Sequence, residues 1–332
     1  MIANVRRLLN GTRYSAADWS LEKIAGAIER ILSPDQCSFW FNSSRHDEVT
    51  MKHDNSDELQ LPDESDMLDA VLRSGYLLDQ EVATSFEELG FHVQTSWPFE
   101  DPDKGESREL DVWAIRRVTE DPISLFIEIF CECKSGQANP YVFLTRRKGP
   151  IDDIVSPIHY VFPRDNYSVD VDGGMREVPA FTYFNAAQHH YWFKNNQKAV
   201  QFARIVRNKN RWDAQHNGIY NSLLIPLAKA LRHRRAVLRR YTPFAMCFPL
   251  VVLKSPLYLV DSETKPLAAR KVTRVSFYRR LDSSTVKGDY IVDFVNADGL
   301  ADFVDQKVMP FAKQLADDAK ANPDKFRVQR PT

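Results

Sequence analysis

Three charged residues, Asp111, Glu132 and Lys134, sit where two strand-like stretches would bring them together. Residues 110–118 alternate in polarity, and Leu125–Lys134 is dense in β-formers. Between them, Thr119-Glu120-Asp121-Pro122 supplies turn chemistry, and Pro122 bars a continuous ladder. A hairpin centred on the bond between Asp121 and Pro122 sets Asp111 opposite Glu132, and opposed Cβ atoms lie about 4.5–5.5 Å apart. Lys134, two residues on, shares the face of Glu132. Cys133 points the other way, with its carbonyl close to the carboxylates. One alternative is an edge hairpin decorated by a cross-strand salt bridge. The composition of the second strand weighs against it: Leu125, Ile127, Ile129, Cys131 and Cys133 fill one face, while Phe126 and Phe130 share the other with Glu128 and Glu132. A strand apolar on both faces is covered on both, and carboxylates there are costly unless a positive group meets them. Mg²⁺, which takes one or two carboxylates at about 2.0–2.1 Å, would meet them.

In this order the residues resemble the PD-(D/E)XK nuclease superfamily, the restriction-endonuclease-like fold, and most of all its Mrr-type members. In that pattern a helix precedes strand one, an Asp opens strand two, and E-x-K closes strand three. Asp111 and Glu132-Cys133-Lys134 stand at those positions. Upstream, the run from Glu81 to Val93 is similar to the family's first helix and strand, with Glu81 where many members carry another acid. Leu110 replaces the proline that names the motif. The resemblance covers residues 76–136 and fits the later core loosely. It implies that Asp111, Glu132 and the Cys133 carbonyl hold Mg²⁺, with Mn²⁺ as a substitute. It also implies that Lys134 orients the attacking water, and that Glu81 holds a second metal or a metal-bound water. Read from its helix alone, Glu81 fits a solvated side chain equally well.

Composition limits the alternatives. With 332 residues, 43% hydrophobic and 27% charged, the chain suits a globular protein able to bury a full core. No apolar run approaches the roughly 20 residues that span a bilayer. The N-terminus has no apolar signal segment, so a cytoplasmic protein is expected. Cys37, Cys131, Cys133 and Cys247 lack zinc-ligand spacing and read as reduced thiols.

The expected architecture is α/β, a mixed sheet flanked by helices. A helical N-terminal region with an acidic linker would occupy 1–75, the nuclease core 76–260 with an insertion at about 137–184, and an α+β extension 261–332. Helices are expected over 1–34 (capped by Ser20), 65–73, 78–89, 186–206, 219–240 with a kink or restart at Pro226, and 300–321. Gly90 should close the 78–89 helix in the left-handed conformation. Strands are expected at 91–97, the 110–134 hairpin, a second hairpin turning at Asp172-Gly173-Gly174, 244–253 as the fourth core strand, 256–260, 272–277 and 290–294. His189 and His190 read as core or surface histidines, and Asp293 as a partly exposed strand acid.

The net charge of −1 conceals an asymmetry. Between Lys194 and Arg240 twelve basic residues face one acid, Asp213, with aromatics interleaved. Basic helices with aromatics suit a phosphate backbone. Arg232, Arg235 and Arg239, with Lys198 and Arg207, are the expected nucleic-acid contacts. The alternative is a solvated face that balances the acidic 42–66 stretch. Together these readings point to a Mg²⁺-dependent endonuclease of restriction or phage-defence type acting on double-stranded DNA, with a homodimer left open. A non-catalytic binding module on the same fold, or a ribonuclease, is the alternative.

Overall fold

A computed structural model describes residues 61–119, 123–136, 138–241 and 244–326. The helix expected over 1–34 with its Ser20 cap, most of the acidic linker, and the 120–122 turn lie outside these residues. From Pro62 onward the chain forms one compact unit.

The helices α1 (Glu64–Ser74) and α2 (Tyr76–Glu88) are hinged at Gly75, whose φ of 90° is a glycine conformation. A Cβ there would meet the Ser135 hydroxyl at 3.2 Å, so the hinge also lets α2 approach the end of the third strand. Gly90 closes α2 at φ 79°, as expected. Strands β1 (His92–Glu100), β2 (Ser107–Thr119) and β3 (Leu125–Lys134) then form an antiparallel meander. Strand β4 (Tyr141–Arg147) and the two-residue β5 (Tyr160–Val161) follow, and then a separate hairpin of β6 (Asn166–Val171) and β7 (Gly174–Pro179). Next come β8 (Gln197–Asn208), β9 (Arg211–Gln215) and the helix α3 (Ile219–Tyr241), which runs through Pro226 without a break. Then follow β10 (Phe244–Leu253), β11 (Leu257–Asp261), β12 (Ala269–Val272), β13 (Arg274–Asp282), β14 (Lys287–Asn296), the helix α4 (Met309–Ala321) and a short helix at Pro323–Phe326. A π-helical turn, Val304–Val308, leads into α4, so the helix expected over 300–321 is interrupted.

The architecture is α/β, with a mixed sheet of twelve strands among the described residues: ten in the order β1-β2-β3-β10-β14-β13-β8-β4-β11-β12, with β5 paired to β10 and β9 to β8 off this path. Strand β10 lies beside β3 and parallel to it, with α3 as the preceding crossover helix. All ten residues of β10 are buried. One face of the sheet packs on α2 and α4 through Leu78, Val82, Phe86, Phe311 and Leu315. The other packs on α3 through Leu223, Leu227 and Leu231. Each such side chain contributes about 1.5–3 kcal/mol when fully buried. Strands β13 and β14, expected in an extension after residue 260, lie inside this sheet, and β4, expected in an insertion, pairs with β8 and β11.

Residues 186–206 are not the expected helix. The structure has a short 3-10 turn at Ala186–Gln188 and then β8. The helix-like spacing arises from a bulge. Thr145 pairs with Ala199 and Leu144 with Gln201, leaving Val200 extra. The added residue returns Ala199 and Phe202 to one buried face although they stand three apart.

Strand β10 carries Pro249 at its centre, which would ordinarily argue against a central strand. On one edge of β10, β5 pairs as far as Met246 and β14 begins at Leu250, so the proline falls in the gap. His159 fills that gap. Its Nδ1 lies 2.7 Å from the Cys247 carbonyl, and its Nε2 accepts the Ile291 amide at 3.3 Å. The two contacts admit only the neutral Nδ1–H form, and burial pushes the imidazole pKa down to about 3. His190 is also buried, with Nε2 facing the Tyr160 hydroxyl and Nδ1 accepting the Trp192 amide. Because the folded pKa of His159 is depressed, its contribution is fully present above the unfolded value of about 6.5 and is lost as pH falls. Between pH 6 and 4 the unfolded chain binds a proton that the folded chain refuses. The stability of the wild type relative to His159→Asn should therefore shrink by about 1.4 kcal/mol per pH unit over that range. Urea denaturation at several pH values checks this, and a constant difference would mean that His159 titrates in the folded state.

Candidate functional site

The β2–β3 register places the charged trio as expected. Val112 pairs with Cys131 and Trp113 with Phe130, the register that sets Asp111 against Glu132. The bulge between Arg117 and Thr119 is absorbed near the turn and does not shift it. At Asp111 the ladder gives way to a side chain: the carboxylate accepts the Cys133 amide at 2.7 Å. Opposite, on β1, Ser96 has φ 48° and interrupts the pairing between Thr95–Val112 and Trp97–Leu110. The Asp111 carboxylate is thereby pinned across the open end of the hairpin. A strand residue directs its N–H and C=O to the same side, so the Cys133 carbonyl faces Asp111 as well.

Lys134 Nζ lies 2.9 Å from Glu132 Oε2 and 3.6 Å from Asp111 Oδ2. Burial, with the negative charges of Asp111 and Asp79 added, pushes the Glu132 carboxyl up to about 7 despite Lys134. Burial also acts against the Lys134 ammonium, but Glu132 and Asp111 outweigh it and hold the pKa above its ordinary value.

The acid that α2 brings to this cluster is Asp79. Its carboxylate, that of Asp111 and the Cys133 thiol offer atoms within 4.8 Å of one another. Burial and then the Asp111 charge push the Asp79 carboxyl up to about 6. Glu81, the expected helix acid, points elsewhere, is largely exposed and pairs with Lys254 at 2.8 Å. Helical phase separates the two. At about 100° per residue, Asp79 lies within roughly 20–60° of Val82, Ala83 and Phe86, whereas Glu81 lies 100° or more from Val82 and Phe86. The buried stripe therefore pointed to Asp79.

Asp79, Asp111, Cys133 and Lys134 line a cleft of about 330 Å³ that also includes Ser135, Asn139, Tyr141, Ser255 and Arg204, whereas the buried Glu132 is not part of the lining and reaches it through Lys134. Arg204, on β8, is a cation that the expected helix had hidden. Burial first, and then the charges of the neighbouring carboxylates, raise Asp79 and Glu132, and Lys134 offsets this only in part. The carboxylate oxygens of Asp79 and Asp111 are hard donors of the kind a divalent cation takes, whereas Glu132, an expected ligand, is not among the atoms that cluster within 4.8 Å and is instead paired with Lys134. The Cys133 thiol fits less well. It lies 3.7 Å from Cys131 Sγ, and that contact, together with burial, holds its pKa well above the ordinary value.

No match emerged from the comparisons with known proteins: no family model, no curated protein and no solved structure.

The basic segment is less available than its composition suggested. Arg235 and Arg239 both contact Asp165, and they donate to the carbonyls of Ile158 and Phe162. Lys198 pairs with the buried Asp152 at 2.6 Å, Lys229 with Asp101 at 2.8 Å, and Arg234 with Glu128 at 2.7 Å. Arg235, Arg239 and Lys198, expected to contact nucleic acid, are thus each paired with a carboxylate in this structure. Their partners lie far away in sequence, which a local charge count cannot detect. Arg232 and Arg207 are exposed. Asp293 also differs from expectation. It is buried, accepts from the Tyr191 and Ser276 hydroxyls, and is pushed up to about 6 by burial. Among the described residues, no helix is long and apolar enough to cross a membrane.

Proposed function

We propose that this chain is a metal-dependent nuclease of the PD-(D/E)XK type, cleaving phosphodiester bonds in double-stranded DNA. One observation carries the reading: Asp79, Asp111 and Lys134 line one cleft at the open end of the β2–β3 hairpin, and Lys134 ties the buried Glu132 to it. The order of elements supports it, with a helix, a three-stranded meander, and β10 parallel to β3 as the fourth strand.

Asp111, Glu132, Asp79 and the Cys133 carbonyl would hold the metal, with Mg²⁺ as the physiological ion and Mn²⁺ as a substitute. When bound, a divalent cation polarises the phosphate and lowers the pKa of a coordinated water. The chain's own groups do the rest. Asp111, tied to the Cys133 amide, is held in place before substrate arrives. Lys134, charged at neutral pH, orients the attacking water and stabilises the negative charge that builds on the phosphate oxygens. Arg204, which lines the cleft, supplies positive charge for the backbone beside the scissile bond. Asp79 takes the helix-acid role first assigned to Glu81.

The test is incubation of the purified chain with supercoiled plasmid, linear duplex, single-stranded DNA and RNA, with Mg²⁺, with Mn²⁺ and in EDTA. Nicking of plasmid with either metal and none in EDTA is expected. Cleavage that persists in EDTA, or none across the whole panel, would overturn the reading.

A further inference from the structure

A second cavity, of about 400 Å³, opens beside the start of β13, at the π-helical turn before α4. Four cations line it: Lys194, Arg270, Arg274 and Lys307. No carboxylate is among its lining residues. Elsewhere, the buried or half-buried Lys198, Lys229, Arg234, Arg235, Arg239 and Lys254 each lie against a carboxylate, while the half-buried Arg116 and Lys148 donate to the carbonyls of Leu89 and Trp192. Arg274 and Lys307 are half-buried, and neither makes an ion pair among the described residues. Arg274 instead lies against the Tyr191 and Phe303 rings, 5.8 Å from each centroid. Burial and the positive charges of Arg274 and Lys194 hold the Lys307 ammonium below its ordinary range.

Gathering like charges in a half-buried cavity costs free energy unless an anion offsets it. Lys307 stands in the π-helical turn, an irregularity common at functional sites. Asp293, which is not part of the lining, feels the Arg274 charge, but its carboxylate accepts from the Tyr191 and Ser276 hydroxyls and makes no ion pair with Arg274. The cavity wall adds neutral hydrogen-bonding groups in Asn195 and Gln197 and apolar surface in Leu259 and Val275.

We propose that this cavity binds a ligand carrying clustered phosphates, either a nucleoside triphosphate or an inorganic polyphosphate. Four cations exceed what one carboxylate or one phosphodiester requires, and two of them are arginines, whose planar forks match phosphate oxygens. The volume falls within the usual range for small-ligand pockets. The inference does not rest on the nuclease reading, because it shares no residue with the Asp111 cleft.

Titration calorimetry of the full chain with ATP and, separately, with tripolyphosphate tests it. Binding of at least one probe is expected, weakening about tenfold for each cation removed, so about a hundredfold in Arg274→Gln/Lys307→Gln. Lys194→Gln/Arg270→Gln, at two exposed positions, gives the same reading should the first pair impair folding. Equal affinity for both probes identifies the phosphates alone as the determinant, and preference for ATP adds a contribution from the nucleoside. Either result supports the site. No binding of either probe, or binding undiminished in both double variants, would overturn it.

Discussion

Lys134→Ala and Asp111→Asn are each expected to lower the rate of metal-dependent DNA cleavage by roughly 10²–10⁴-fold while the chain stays folded. The two should fail for different reasons. In the proposed mechanism Asp111 would be a metal ligand, its position set by the Cys133 amide at 2.7 Å. Asparagine keeps the shape and can still accept that hydrogen bond through its carbonyl, but it brings no charge to a cation. Raising Mg²⁺ or substituting Mn²⁺ should therefore recover part of the rate in Asp111→Asn. Lys134 contacts both acids, at 2.9 and 3.6 Å, and its assigned role is in the chemistry. Its loss should leave DNA binding largely intact and should not respond to added metal. Lys134→Arg should not restore the rate, since a planar fork does not replace a compact ammonium. Asp79→Asn should slow cleavage more than Glu81→Ala, because Asp79 lies with Asp111 and Glu81 is exposed against Lys254. Single-turnover rates with thermal melts as folding controls decide each point. Wild-type turnover in Lys134→Ala would reduce Lys134 to a structural ion pair.

The part of this site carried by neighbouring strands was legible in the sequence. Hairpin register follows from turn position and a period of two, so placing Asp111 against Glu132 required only a centre at the turn. The alternation that made β3 apolar on both faces also predicted a sheet covered on both. Phase on the preceding helix was legible too, yet the reading stopped at the resembling Glu81, whereas the buried stripe through Val82 and Phe86 favoured Asp79. What depends on contacts distant in sequence was not legible. The bulge at Val200 gave a strand the apolar spacing of a helix and concealed Arg204. The arginines of α3 looked free because Asp165 and Glu128, their partners, lie 70 or more residues earlier. Pro249 and Asp293 are tolerated in the sheet interior only through His159, Tyr191 and Ser276, which arrive from other segments.

Arg234→Leu is expected to destabilise the fold by about 3–5 kcal/mol, the usual cost of removing one partner from a buried ion pair. Glu128 is fully buried on β3, four residues before Glu132. It accepts Arg234 Nε and Nη2, each at 2.7 Å, and Trp113 Nε1 at 3.1 Å. Arg234 also lies over the Trp113 ring, 5.3 Å from its centroid. Without the guanidinium, the carboxylate must stay charged in an apolar layer or take up a proton, and either outcome costs stability. Glu128→Leu should cost less, because the Arg234 side chain is 21% exposed and can turn toward water. The double variant Glu128→Leu/Arg234→Leu should be more stable than Arg234→Leu alone, since no unpaired charge remains inside. Urea denaturation of the three variants measures the coupling. If Arg234→Leu costs less than about 1 kcal/mol, or if the double variant costs the sum of the singles, this pair is not what fastens α3 to the strand carrying Glu132 and Lys134.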